Sequence, residues 1–82
     1  MDVQTLEKEL RSIVAEITEV EPEKITLEAN FVEDLGMDSM MALEVLASVE
    51  KKYNLKIPED YLMKVTNLSN LVEIAKKFLK EK

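Results

Sequence analysis

An all-α fold, a small bundle of three main helices plus one short helix with a long first loop, is what this sequence predicts, and three observations predict it. Apolar residues recur at three- and four-residue intervals in three separate stretches, the spacing of a single helix face. No stretch alternates apolar and polar residues as a half-buried strand does. The 82 residues suffice for one modest core that buries roughly 60% of the unfolded surface. They therefore read as a single domain over residues 1–82.

The first stretch carries Val3, Leu6, Leu10, Ile13, Val14 and Ile17 and predicts a helix over residues 2–18, with Asp2 as its cap. Pro22 lies beyond it. Residues 19–37 are expected to form the long connection, anchored by Ile25, Leu27, Phe31, Val32 and Leu35; a loop this long in a small domain is functional, tied down, or both. The second helix is predicted from Ser39 to Tyr53, with Leu43, Leu46, Val49 and Tyr53 on one face and Met40, Val45 and Ala47 flanking it. Asn54, which tolerates the left-handed conformation, stops it. Pro58-Glu59-Asp60 opens a short helix across Tyr61 to Lys64, with Leu62 and Val65 turned inward. The last helix begins after Thr66 or Asn67 and presents Leu68, Leu71, Val72, Ala75, Phe78 and Leu79 to the core. Lys76, Lys77 and Lys80 suit the negative end of its dipole.

Composition narrows the function. Without cysteine there is no disulfide, thiolate ligand or thiol nucleophile, and without histidine the commonest general base and metal ligand are missing. A self-contained enzyme is therefore not expected. The net charge of −6 disfavours nucleic acid and anionic membranes and favours basic patches on protein partners. No apolar run approaches the roughly 18 residues that span a bilayer, and Met1-Asp2-Val3 does not resemble a secretory signal, so the expectation is a soluble cytoplasmic protein, monomeric and without membrane insertion. Charge is also unevenly placed. Between residues 16 and 38 eight acids face the single base Lys24, whereas from Lys51 onward the bases Lys51, Lys52, Lys56, Lys64, Lys76, Lys77, Lys80 and Lys82 dominate.

The acidic half contains Glu33-Asp34-Leu35-Gly36-Met37-Asp38-Ser39-Met40. Gly36 is the only glycine and marks the sharpest turn. Asp38 is a good helix cap, and Ser39 falls in the first turn, where its hydroxyl can point into solvent. Taken alone, such a serine is more often an ordinary first-turn residue than a modified one. The full run Asp34-Leu35-Gly36-Met37-Asp38-Ser39-Met40, however, resembles the modification site of the acyl carrier protein family. The resemblance extends over nearly all of the chain: Pro22-Glu23-Lys24-Ile25-Thr26 and Phe31 are similar to the family's first loop, Ile57-Pro58 to the segment after its second helix, and Val65-Thr66 with Leu68 and Leu71 to the start of its last.

The resemblance implies an acyl-carrier-protein-like bundle in which a phosphopantetheinyl transferase attaches 4′-phosphopantetheine to Ser39. The arm's thiol then holds acyl intermediates as thioesters for acyl-transfer, condensing or acyl-activating enzymes of fatty-acid, lipid or polyketide synthesis. Asp38 is implied to cap the helix and to help the transferase bind coenzyme A through a divalent ion. Glu33, Asp34, Met37, Met40, Met41 and Glu44 are the expected partner surface. Ala42, Val45, Leu46 and Val49, with Ala47, are either plain core or the lining of a cleft that shelters an acyl chain. Many fatty-acid carriers have an acid or polar residue where Met41 stands and a more acidic second helix, so a specialised carrier is as well supported as a housekeeping one. The alternatives are an aminoacyl or peptidyl carrier, an interaction module with the carrier fold but no prosthetic group, and a divalent-ion sensor using Glu33, Asp34 and Asp38. That last spacing is not that of an EF-hand loop, and no resident metal is expected.

Overall fold

In a computed structural model, which describes residues 2–81 (the side chain of residue 81 excepted), the chain is all-helical. Helix α1 spans Val3–Thr18, a 3₁₀ turn Pro22–Lys24, α2 Phe31–Leu35, α3 Ser39–Tyr53, a 3₁₀ helix Glu59–Lys64 and α4 Leu68–Glu81. Helix α1 packs against both α3 and α4. Its Leu6, Leu10 and Val14 meet Ile25, Phe31, Val45, Val49, Leu68 and Leu71 in the fully buried centre of the core.

The main helices follow the expected ranges, but their caps and faces differ in detail. Asp2 occupies the cap position of α1 without its side chain bonding a backbone N–H; its carboxylate accepts instead from the Thr5 hydroxyl at 3.3 Å. Val3, expected inside, is exposed in the first turn. On α3 the buried face is Ala42, Val45, Leu46, Val49 and Tyr53, which leaves Leu43, expected on the core face, exposed. Ala42 starts the spacing that continues through Val45, Leu46, Val49 and Tyr53, and one helix cannot also turn Leu43 inward. Asn67 caps α4 by accepting the Asn70 N–H at 2.8 Å.

The connection over residues 19–37 is as long as the sequence suggests, but it is not without structure of its own. It contains a 3₁₀ turn and α2, and three hydrogen bonds stitch it to the bundle. The Arg11 Nε donates to the Ile25 carbonyl at 2.8 Å, the Phe31 N–H to the Thr66 carbonyl at 2.8 Å, and the Ser69 N–H to the Leu27 carbonyl at 3.1 Å. Of its expected anchors Ile25 and Phe31 are buried and Leu35 half-buried, while Leu27 and Val32 stay exposed. The outcome is a tied-down bracket that carries the chain from α1 to the start of α3.

Candidate functional site

Two helix ends meet at residues 36–38. Helix α2 begins on Asn30, whose side-chain oxygen accepts the N–H groups of Val32 and Glu33, both at 2.9 Å, and the Asp34 carboxylate reaches back to the Asn30 N–H at 2.8 Å. This reciprocal pairing satisfies donors that a helix start leaves open, and it stabilises a helix of five residues that propensity alone could not sustain.

The helix stops at Gly36, which sits in the left-handed region at φ 72°. The Gly36 N–H donates to the Val32 carbonyl at 3.1 Å, the bond of a left-handed helix stop, and the Met37 N–H donates to the Phe31 carbonyl at 2.9 Å. That stop tucks Met37 under the turn, where it is 2% exposed. Met37, expected on the partner surface, is thus a core anchor of the junction instead.

Asp38 is extended and caps α3, its Oδ1 accepting the Met41 N–H at 2.9 Å. Ser39 follows as the first helical residue, exposed, with no side-chain hydrogen bond to any described residue. The hydroxyl is held by a backbone fixed on both sides and remains open to an incoming group. The surface around it comprises Glu33, Asp34, Asp38 and Glu44, all exposed, with Met40 at 69% exposure and Met41 half-buried. Leu43 at 45% adds an apolar residue that the sequence reading had turned inward. Its signal was Ala42, which shifts the centre of the buried stripe by one position.

Ala42, Val45, Leu46 and Val49 all lie in the packed core, whereas Ala47 is exposed. Among the described residues no three acids converge as metal ligands. Asp34 and Asp38 each bind a backbone N–H, at different helix ends.

An exposed serine hydroxyl with no competing bond fits covalent attachment of a phosphopantetheine arm, since the phosphodiester needs an accessible oxygen and no burial of its charges. The family model described as "Phosphopantetheine attachment site" matches residues 8–75. Curated relatives agree. The chain is 34% identical over 66 residues to "Acyl carrier protein" of Helicobacter pylori (strain J99 / ATCC 700824), covering 80% of this chain and 85% of that protein. It is 39% identical over 70 residues to "Polyketide-8 synthase acyl carrier protein 2" of Streptomyces avermitilis, covering 84% and 80%. To "Acyl carrier protein" of Rhodococcus erythropolis it is 35% identical over 69 residues, covering 84% and 76%. The chain belongs to the acyl carrier protein family: it carries acyl groups on 4′-phosphopantetheine and is not itself a catalyst.

Proposed function

We propose that Ser39 is the attachment residue and that the domain over residues 1–82 works in the cytoplasm as a carrier for fatty-acid, lipid or polyketide synthesis. The observation that carries this reading is the exposed, unbonded Ser39 hydroxyl at the capped start of α3. In loading, Ser39 Oγ forms a new P–O bond to the pantetheine phosphate of coenzyme A. The bond from that phosphate to the nucleotide half breaks, and the serine proton is lost to the transferase or solvent. Nothing in the chain has to activate the hydroxyl, in keeping with its lack of histidine. The thiol that accepts acyl groups comes with the arm, as it must in a chain without cysteine. Asp38 holds the serine in position through its cap and faces the transferase beside it.

Among pathways the α3 surface favours a specialised carrier. Its exposed face mixes Met40, Leu43 and Lys51 with Glu44, and Glu50 is diverted to accept the Ile57 N–H at 2.7 Å. Recognition by a uniformly basic enzyme has few acids to use there. No helix among the described residues is long and apolar enough to cross a membrane.

Intact mass before and after incubation with coenzyme A, Mg²⁺ and a broad-specificity phosphopantetheinyl transferase tests the reading. One phosphopantetheine should be gained by the wild type and none by Ser39→Ala, which should fold to a stability within about 0.5 kcal/mol of wild type. Modification that survives Ser39→Ala sinks the assignment, and a folded wild type that gains nothing points to the interaction module or to a carrier that demands its own transferase.

A further inference from the structure

Of the five methionines in the chain, the described ones fall into two groups. Met63, on the 3₁₀ helix Glu59–Lys64, is 84% exposed and Met40, the residue after Ser39, is 69% exposed, whereas Met41 is half-buried and Met37 lies under the Gly36 turn at 2% exposure. The chain has no cysteine, histidine or tryptophan, and the arm's thiol arrives only with loading. In the unloaded chain the thioethers are therefore the groups that a two-electron oxidant attacks first, in the order of their exposure. The two groups also differ in consequence. A sulfoxide on Met37 would force a polar group into the core and open the junction that holds Ser39, but Met37 is shielded. A sulfoxide on Met40 leaves the core, the Asp38 cap and the Gly36 stop untouched, because its side chain stands in solvent and takes part in none of them.

Resting on the reading of Ser39 as the attachment residue, we propose that Met40 is an oxidation-sensitive switch on loading: a hydroperoxide converts its thioether to the sulfoxide, which withholds Ser39 from the transferase while the fold stays intact. The Sδ lone pair attacks the terminal oxygen of the hydroperoxide, and the S–O bond forms as the O–O bond breaks. Sulfur is oxidised by two electrons, the peroxide is reduced, and its proton passes to the departing oxygen, which leaves as water or an alcohol. Placement carries the consequence. The Cα atoms of Ser39 and Met40 are about 3.8 Å apart, and both side chains are exposed in the first turn of α3, so an enzyme that reaches the Ser39 Oγ covers Met40. Covering the thioether removes apolar area from water and is favourable. Covering the sulfoxide strips its oxygen of hydrogen bonds to water, which costs free energy unless a donor replaces them. Reduction by methionine sulfoxide reductases returns the thioether, so the block is reversible.

The test treats the unloaded protein briefly with hydrogen peroxide, removes the peroxide with catalase, and follows with peptide mass mapping, circular dichroism and loading by a broad-specificity phosphopantetheinyl transferase with coenzyme A and Mg²⁺. Met40 and Met63 should each gain one oxygen at a dose that leaves Met37 unmodified, with the helical signal unchanged. The KM for loading should then rise about fivefold, as the loss of part of one apolar contact implies, and return to its starting value after treatment with methionine sulfoxide reductases for both epimers. Met63→Leu should keep the response to peroxide, and in Met40→Leu the treated and untreated proteins should load alike. Oxidation of Met37 as fast as Met40, or a loss of helical signal, makes the reaction damage to the fold and overturns the proposal. An unchanged KM once Met40 is oxidised overturns it too, as does a response that persists in Met40→Leu. Untreated protein that is never loaded, or loading that survives Ser39→Ala, defeats the Ser39 reading and the switch with it, whereas equal loading before and after oxidation of Met40 defeats only the switch.

Discussion

Gly36 and Asp38 sit two positions apart and fix Ser39 by opposite means, one through a backbone conformation and the other through a side-chain bond. A Cβ added at Gly36 meets nothing within 4 Å, so the demand for glycine comes only from φ 72°. Gly36→Ala should therefore destabilise by about 1–2 kcal/mol through left-handed strain, read as a lower urea midpoint at unchanged slope. A much smaller loss would mean that the α2 stop adapts to a right-handed residue. Asp38→Ala removes the acceptor for the Met41 N–H and should cost about 1 kcal/mol. Asp38→Asn keeps an oxygen at the cap and loses the charge, so its stability should stay near wild type while loading of Ser39 slows. Equal stability of the alanine and wild-type proteins would refute the cap. The serine, its cap and the glycine were legible in the sequence because each acts through bonds to its immediate neighbours. For Met37 the sequence leaves core filler and partner rim both open, since its burial depends on how the Gly36 stop turns the chain toward the core.

At the scale of elements, α1, α3 and α4 were readable because long amphipathic stretches repeat their signal several times over. Helix α2 was not. Five residues hold too few turns for a periodicity, and this helix exists through the Asn30 and Asp34 bonds at its start, the Gly36 stop at its end and Phe31 in the core. Asp34, an acid of the expected partner surface, has a structural role as well through its bond to the Asn30 N–H. Asn30→Ala deprives two backbone donors of their acceptor and should cost about 1 kcal/mol. Because the fault is local, amide exchange should accelerate most at Val32 and Glu33 and little within α1 or α4. Uniform acceleration across the bundle would instead make α2 part of the cooperative core. The stitching of the connection by Arg11, Thr66 and Ser69 escaped the sequence for a related reason: these bonds join residues far apart in the chain, and no local pattern announces them.

Across the whole molecule, α1 and α3 are joined by apolar packing and by a polar contact, the Tyr53 hydroxyl donating to Glu9 Oε1 at 2.5 Å. The periodicity of α3 placed Tyr53 in the core, but its partner lies 44 residues away and was not foreseeable from spacing. Burial first, and then the hydrogen bond to and the negative charge of Glu9, push the Tyr53 hydroxyl well above its ordinary value. The sign of the effect on stability follows from where the proton is held more tightly. The folded chain retains the phenol proton at a pH where the unfolded chain, titrating near about 10, gives it up. The contribution is thus complete below about pH 10 and is lost as pH rises from there toward the folded value. Tyr53→Phe removes both the bond and the titration. At neutral pH it should lower stability by about 1 kcal/mol, with Glu9 half-exposed and able to recover water. As pH climbs past about 10, wild-type stability should fall faster than that of the variant, and the two urea midpoints should converge. A gap that stays constant from neutral to alkaline pH would show that the Tyr53 proton is held no more tightly in the bundle than in the unfolded chain, and that the bond to Glu9 adds nothing to the packing of α1 on α3.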